Sequence, residues 1–214
     1  MIAEPGSTRF GHVPTATRRR SPARRGHGDQ LREEIIAAAF RLLESTGDAT
    51  EVSLRAVARE VGVTPTSIYL HFDDIDALVG VVKQGLFADL GEAMESSIPD
   101  GADPVEVVRS SSHAYVRFAD EHEGVYRALI TSRHLAVPTA SSETFLGQNT
   151  FRQTQAHGAA AIGADPQSAD ASMLAMHLWT SLHGMITLRT LHGKFPWPAI
   201  DVQVDDLVDR LFGR

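Results

Sequence analysis

Apolar positions recur every three or four residues along most of this chain, which is the period of an amphipathic helix. Residues 30–47 show it first, with Leu31, Ile35 and Ala38 on one stripe and Gly47 as a stop. Alternation typical of strands is almost absent, so an all-α fold is expected. Further helices are predicted over residues 74–96, 105–122, 125–132, 144–161, 167–191 and 200–212.

The segment SLRAVAREVGVTPTSIYLHF, residues 53–72, contains two short helices joined at a glycine. Ala58 is small enough for the first helix to press on the second, Gly62 can adopt a left-handed turn, and Ile68 re-enters the core. Pro65 suits the first position of the second helix, where a missing N–H costs nothing. The spacing predicts a helix-turn-helix with these residues pointing outward from its second helix: Thr64, Thr66, Ser67, Tyr69 and His71.

Those outward residues carry hydroxyl and imidazole groups and no carboxylate. Such groups bond phosphate oxygens and base edges when a helix lies in the major groove of DNA. The same helix pair also serves as plain scaffolding in other proteins. The motif therefore favours DNA binding and leaves scaffolding open as the alternative.

Charge is unevenly distributed. Residues 30–80 hold four basic and nine acidic residues, a formal charge of −5, whereas residues 1–29 hold six arginines and two acidic residues, a formal charge of +4. The tail of residues 1–29 is rich in Gly, Pro, Ser and Arg and is expected to be disordered in the free protein. We expect its arginines Arg18, Arg19 and Arg20 to follow the DNA backbone or lie in the minor groove. A solvated solubility tail is the alternative.

Composition excludes several classes of protein. The 214 residues include no cysteine, so no disulfide framework and no thiol chemistry are available. The start of the chain does not read as a secretory signal, and no apolar run is long enough to span a membrane, so a cytoplasmic protein is expected. The net charge of −7 argues against nonspecific coating of nucleic acid by the whole molecule.

An enzyme is the competing class. The ten histidines form no HExxH motif and no pair spaced four residues apart, so no metal site is predicted. GxSxG, Walker A and GxGxxG motifs are absent as well, and no cofactor or catalytic residue is predicted. For His183, a hydrogen-bonded histidine in a core or pocket is the preferred interpretation.

The helix predicted over residues 167–191 is apolar nearly all round, so it needs cover on two sides. One side is covered by its own domain, and we expect a second copy of the chain to cover the other. The last helix offers a further apolar stripe, which favours a two-fold interface of four helices. The residues predicted for this interface are Leu178, Leu182, Met185, Val204, Leu207, Val208 and Leu211.

Aromatic and polar residues of the second half are candidates for a small apolar pocket. Plain core packing is the alternative for each of them, because aromatic and Met residues at helical spacing are usually core. With no clustered Arg or Lys there, an apolar or aromatic ligand is expected rather than a multiply charged one. The predicted lining is Tyr115, Phe118, Tyr126, Phe145, Met176, Trp179, Thr180 and His183.

Over residues 31–86 the chain resembles the N-terminal domain of the tetracycline-repressor-like (TetR) family of bacterial transcription regulators. The likeness rests on IIAAAFRLLESTG, SLRAVAREVGV and SIYLHF, followed by DDIDALV. The segment HLWTSLHGMITLRTLHG resembles the second-domain signature of one branch of the family, carried by Trp179, His183 and Gly184. Many members place a lysine shortly after the His-Phe pair, where this chain has Ile75 between aspartates, so one phosphate anchor is missing.

This resemblance implies a homodimeric, ligand-responsive regulator that is a repressor rather than an activator. Its expected partners are a palindromic DNA operator and a small effector, and its domains are a tail at 1–29, a DNA-binding domain at 30–76 and an effector and dimerisation domain at 77–214. An effector-independent DNA-binding protein and a small helical enzyme are the alternatives. The predicted DNA contacts are Arg18, Arg19, Arg20, Arg32, Thr64, Pro65, Thr66, Ser67, Tyr69 and His71.

Overall fold

The computed structural model describes residues 28–131 and 147–213. Every helix of more than one turn in these ranges is an α-helix, and these ranges contain no strand, which confirms the predicted all-α fold. None of these helices is long and apolar enough to cross a membrane. The helices are α1 (Gly28–Thr46), α2 (Leu54–Val61), α3 (Pro65–Tyr69), α4 (Ile75–Ser96), α5 (Pro104–Glu121), α6 (Glu123–Thr131), α7 (Gln148–Ile162), α8 (Ala169–Leu191) and α9 (Ile200–Phe212).

The described residues group into two compact units. The first contains residues 28–86 and 122–131, and the second contains residues 87–121 and 147–213. The first unit thus includes α6, a helix that falls inside the predicted effector domain of residues 77–214. The functional boundary near residue 76 stays a prediction.

In the first unit, α1 packs against both α2 and α6. Its buried stripe includes Ile35 and Leu43, and Val57 and Ile68 complete the core from α2 and α3. The start of α4 is fixed by Asp74, whose Oδ1 accepts a hydrogen bond from the Ala77 N–H at 2.7 Å. An aspartate in this position satisfies one of the unpaired N–H groups of the first turn.

Helix α6 is attached to the end of α1 and the residue after it by contacts from its first five residues. The Glu44 carboxylate accepts hydrogen bonds from the N–H groups of Gly124 at 3.2 Å and Val125 at 2.9 Å. Arg127 Nε donates to the Gly47 carbonyl at 3.2 Å. Gly124 is required here, because a Cβ atom at this position would lie 1.9 Å from the Glu44 carbonyl oxygen.

In the second unit, α5 packs against α7, α8 and α9. Its core cluster contains Val105, Val108, Leu178 and Val208. At the edge of this core, Arg109 of α5 donates to Asp205 at 2.9 Å and to Asp209 at 2.6 Å, both on α9. These ion pairs fix α9 along α5.

Candidate DNA-binding and effector sites

The turn between α2 and α3 has the geometry that the sequence predicts. Gly62 ends α2 with φ +78°, a left-handed conformation that L side chains rarely adopt. The N–H groups of Gly62 and Val63 both donate to the Ala58 carbonyl, at 3.0 and 2.9 Å. Thr64 then takes the N-cap position with extended backbone, and Pro65 is the first residue of α3. This sharp start fixes the direction in which α3 presents its side chains.

Helix α3 turns one residue inward and most of the others to the surface. Ile68 is fully buried, whereas Tyr69 is 57% exposed and Thr64, Pro65 and Thr66 are exposed. Ser67 and His71 are half-buried, and the Thr64 and Ser67 hydroxyls lie 3.1 Å apart. Five of the predicted DNA contacts, Thr64, Pro65, Thr66, Ser67 and Tyr69, thus lie along one short segment, followed two residues later by His71.

The remaining predicted DNA contacts lie elsewhere. Arg32 is an exposed residue of α1, and its guanidinium carbon lies 5.1 Å from the centre of the Phe72 ring, a cation–π distance. Because Phe72 directly follows His71, this contact keeps the Arg32 charge beside the end of the helix-turn-helix. Arg18, Arg19 and Arg20 lie outside the described residues.

Four residues predicted for the dimer interface are buried by helices of their own protomer. Leu178 and Val208 belong to the core cluster formed with α5, and Leu182 and Val204 are buried as well. A side chain without accessible surface offers no area to a second chain. This corrects the predicted orientation of α8 and α9: these four residues form core. The others, Met185, Leu207 and Leu211, are half-buried.

The opposite face of α8 carries apolar residues at the surface. Met173 is 57% exposed, Met176 41%, Leu188 45% and Leu191 67%. Their successive spacings of three, twelve and three residues keep all four within one broad stripe of the helix. Helix α8 is therefore apolar on two faces, one packed in the core and one exposed.

Four aromatic groups of the second unit come together at α8. The Tyr115 hydroxyl lies 3.2 Å from His183 Nδ1, and the Trp179 and His183 rings are 5.8 Å apart. The Phe151 ring of α7 meets Trp179 edge-on at 6.3 Å. Burial lowers the pKa of His183, which favours its neutral form. A neutral imidazole can exchange a hydrogen bond with the Tyr115 hydroxyl in either direction.

The remaining predicted pocket residues differ in their exposure and position. Met176 and Thr180 lie on the exposed side of α8, and the Thr180 hydroxyl donates to the Met176 carbonyl at 2.7 Å. Phe118 is buried on α5, Tyr126 is buried in the first unit, and Phe145 lies outside the described residues.

Two features escaped prediction from the sequence. Leu70, directly after α3, is 81% exposed, although leucine at helical spacing is usually assigned to a core. Lys83 of α4 is buried with 2% exposure, and this burial lowers its pKa. No motif in the sequence indicates that this lysine is buried, because the apolar pattern along α4 does not distinguish a buried polar residue from an exposed one.

Two family models match this chain. Residues 35–82, which include α2 and α3, match the bacterial regulatory proteins of the tetR family, and residues 108–214 match the tetracyclin repressor-like C-terminal domain. The chain belongs to the TetR family. It is thus a DNA-binding transcription regulator, as the sequence predicted. The likeness to the Trp-His-Gly branch stays a prediction.

Solved structures agree with this assignment at the level of the fold. A protein of unknown function from Rhodococcus sp. RHA1 is 26% identical, with a TM-score of 0.69 over 86% of this chain and 93% of that one. A tetR-family transcriptional regulator from Streptomyces coelicolor is 17% identical, with a TM-score of 0.66 over 86% and 79% of the chains. A TetR family transcription regulator from Marinobacter aquaeolei VT8 is 18% identical, with a TM-score of 0.58 over 89% and 97%.

Proposed function

We propose that this regulator is a homodimeric repressor that binds a palindromic operator through α3 and leaves it when a small molecule binds the second unit. The observation that carries the proposal is the exposed surface of α3, where hydroxyl and aromatic side chains stand outward from a helix anchored by Ile68. Short polar side chains on such a helix suit contacts with phosphates and base edges.

In this proposal, the exposed face of α8 forms the contact with the second copy of the chain. Met173, Met176, Leu188 and Leu191 form an apolar surface that a monomer would leave in water. Pairing this face with its symmetry mate buries it and sets two α3 helices on one DNA duplex, which calls for two half-sites about one helical turn apart.

The effector proposal rests on the group formed by Tyr115, Trp179 and His183. Its neutral imidazole and hydroxyl provide a few directed hydrogen bonds among aromatic surfaces, which is the usual composition of a small-molecule site. An apolar or aromatic compound with one polar group fits this lining. Release from DNA requires that the compound bind one conformation of the dimer more tightly than the other.

We also propose that the tail supplies positive charge that the helix-turn-helix lacks. Six arginines precede residue 30, while residues 30–80 carry a formal charge of −5. Each phosphate neutralised by an arginine adds to the salt dependence of binding. Deletion of residues 1–28 should therefore flatten the plot of log affinity against log salt concentration. An unchanged slope would assign the tail to solubility alone.

The test of the reading surface uses a duplex selected by the wild-type protein and fluorescence anisotropy at near-physiological salt. Tyr69→Phe and His71→Ala should each weaken binding about tenfold, the cost of one charge-assisted hydrogen bond to phosphate. His192→Ala, which removes an exposed imidazole from the second unit, is the matched control and should bind as the wild type does. Sedimentation should show the same mass for all variants. Wild-type affinity in both Tyr69→Phe and His71→Ala would show that α3 is not the reading helix.

Compounds that release the wild type from this duplex would support the effector proposal. Replacement of His183 by Gln should then reduce the response to the compound more than the affinity for DNA. If no compound releases the protein, effector-independent DNA binding is the better description. Chemical turnover of a bound compound would instead revive the enzyme alternative.

A further inference from the structure

Leu70 has the largest exposed fraction among the large hydrophobic side chains that the described residues leave at the surface, at 81%. It directly follows α3 and has helical backbone angles, φ −73° and ψ −15°, so it continues the helical path of α3. A single exposed leucine is ordinary on a protein surface. Its position relative to the other side chains of α3 makes this one informative.

Successive residues of a helix are rotated by about 100°. Leu70 is two positions beyond Ile68, so it points about 160° away from the residue that anchors α3 in the core. Thr66 is four positions before Leu70 and shares its face. The part of α3 that stands farthest from the core thus carries a leucine side chain and a threonine methyl group, with the exposed Tyr69 beside them.

The major groove contains one apolar group on its base edges, the C5-methyl of thymine. Hydroxyl side chains distinguish bases weakly, because a hydroxyl both donates and accepts. An apolar side chain on the reading face favours a partner with an apolar group that it can shield from water. We propose that Leu70, together with the Thr66 methyl group, reads a thymine methyl and thereby sets the specificity of this regulator at one base pair of each half-site.

This inference rests on the proposed placement of α3 in the major groove, and it adds a specificity determinant to that placement. It predicts thymine at a fixed position of both half-sites. It also predicts that the protein senses the methyl group itself, which deoxyuridine lacks while keeping all hydrogen-bonding groups of thymine.

The experiment uses the selected duplex and variants of it in which each symmetric thymine pair is replaced by deoxyuridine. Shielding one methyl group from water changes affinity by about two- to fourfold. The wild-type protein should lose about four- to sixteenfold in affinity when one symmetric pair is replaced, because that pair holds two such methyl groups. Replacement of the other pairs should leave the affinity unchanged. Leu70→Ala should bind the thymine duplex more weakly and lose this sensitivity to deoxyuridine.

Thr66→Ser is the matched second variant, because it removes the methyl group and keeps the hydroxyl. It should reduce the deoxyuridine effect at the same thymine pair and at no other. Circular dichroism checks that both variants are folded, as expected for substitutions at exposed positions.

Two results would overturn the inference: a wild type that is insensitive to deoxyuridine at every pair, or a Leu70→Ala variant that keeps the full effect. Failure of the DNA-reading proposal has a different signature: the wild type would enrich no duplex, or Tyr69→Phe and His71→Ala would both bind the selected duplex with wild-type affinity. Either result would overturn both proposals.

Discussion

Glu44 carries the most specific structural prediction for the first unit. Its carboxylate belongs to α1, yet it accepts hydrogen bonds from the N–H groups of Gly124 and Val125 at the start of α6. The first N–H groups of a helix have no partner within the helix, and the N-terminus favours a negative charge. Glu44 therefore acts as the cap of a helix that begins about 80 residues later.

The magnitude follows from these two bonds. A hydrogen bond to a charged group contributes about 1.5–3 kcal/mol, and replacement of a capping residue by alanine costs about 0.5–2 kcal/mol. Gly124 and Val125 are buried, but Glu44 is half-buried, so after substitution water can approach their N–H groups from the side of Glu44. We expect Glu44→Ala to lower the free energy of unfolding by about 2 kcal/mol. Glu44→Gln keeps a neutral acceptor and should lower it by about 1 kcal/mol.

The assay is urea unfolding at one fixed protein concentration, because dimerisation makes stability depend on concentration. Hydrogen exchange of the Gly124 and Val125 amides should accelerate in the same variants. Glu33→Ala, at an exposed position of the same helix, is the matched control and should change stability by less than about 0.5 kcal/mol. If Glu44→Ala unfolds like Glu33→Ala, the cap contributes nothing and the reasoning is refuted.

Three further predictions concern packing, ion pairs and pH. Gly124→Ala would place a Cβ atom 1.9 Å from the Glu44 carbonyl oxygen and should lower the free energy of unfolding in urea by about 3 kcal/mol. Gly80→Ala would meet no atom within 4 Å and should be neutral or stabilising by up to about 1 kcal/mol. Equal stability of the two variants would contradict the close contact. Arg109→Ala breaks two partly buried ion pairs with α9 and should lower the free energy of unfolding by about 1–2 kcal/mol. Arg210→Ala breaks one exposed ion pair with Asp206 and should lower it by less than about 0.5 kcal/mol. Equal losses in the two variants would be inconsistent with this difference in burial. Burial lowers the pKa of both His157 and His183, and for His157 it outweighs the raising effect of Glu95. Between the lowered pKa and the ordinary value near 6.5, the folded protein therefore binds fewer protons than the unfolded chain. Stability should therefore be complete above about pH 6.5 and fall as the pH drops below that value. The double substitution of both histidines by Gln should flatten this fall in pH-dependent thermal unfolding, and an unchanged profile would assign the pH dependence to other groups.

Local signals made the helix-turn-helix predictable. The glycine at position 62 and Pro65 each act within a few residues of themselves, and the structure places both where the sequence predicts, in the turn and at the start of α3. The exposure of Leu70 was not predictable in this way, because the pattern of apolar residues does not distinguish a core leucine from one on a reading face.

The orientation of α8 could not be derived from its sequence. Leu178 and Met173 are equally apolar, so periodicity marks two faces and cannot say which one meets α5. Packing decides it: Leu178 joins Val105 and Val208 in the core, and Met173 stays exposed. Contacts such as Glu44 with Gly124 were invisible for a related reason, since they join residues about 80 positions apart with no shared local motif.

The central claim is that two copies of this chain read a symmetric DNA site through α3. The most direct test is selection and sequencing of random duplexes bound by the purified full-length protein at near-physiological salt. We predict enrichment of a two-fold symmetric site whose half-sites lie about one helical turn apart and share a thymine at a fixed position. A folded, dimeric protein that enriches no sequence, with or without candidate effectors, would contradict the account.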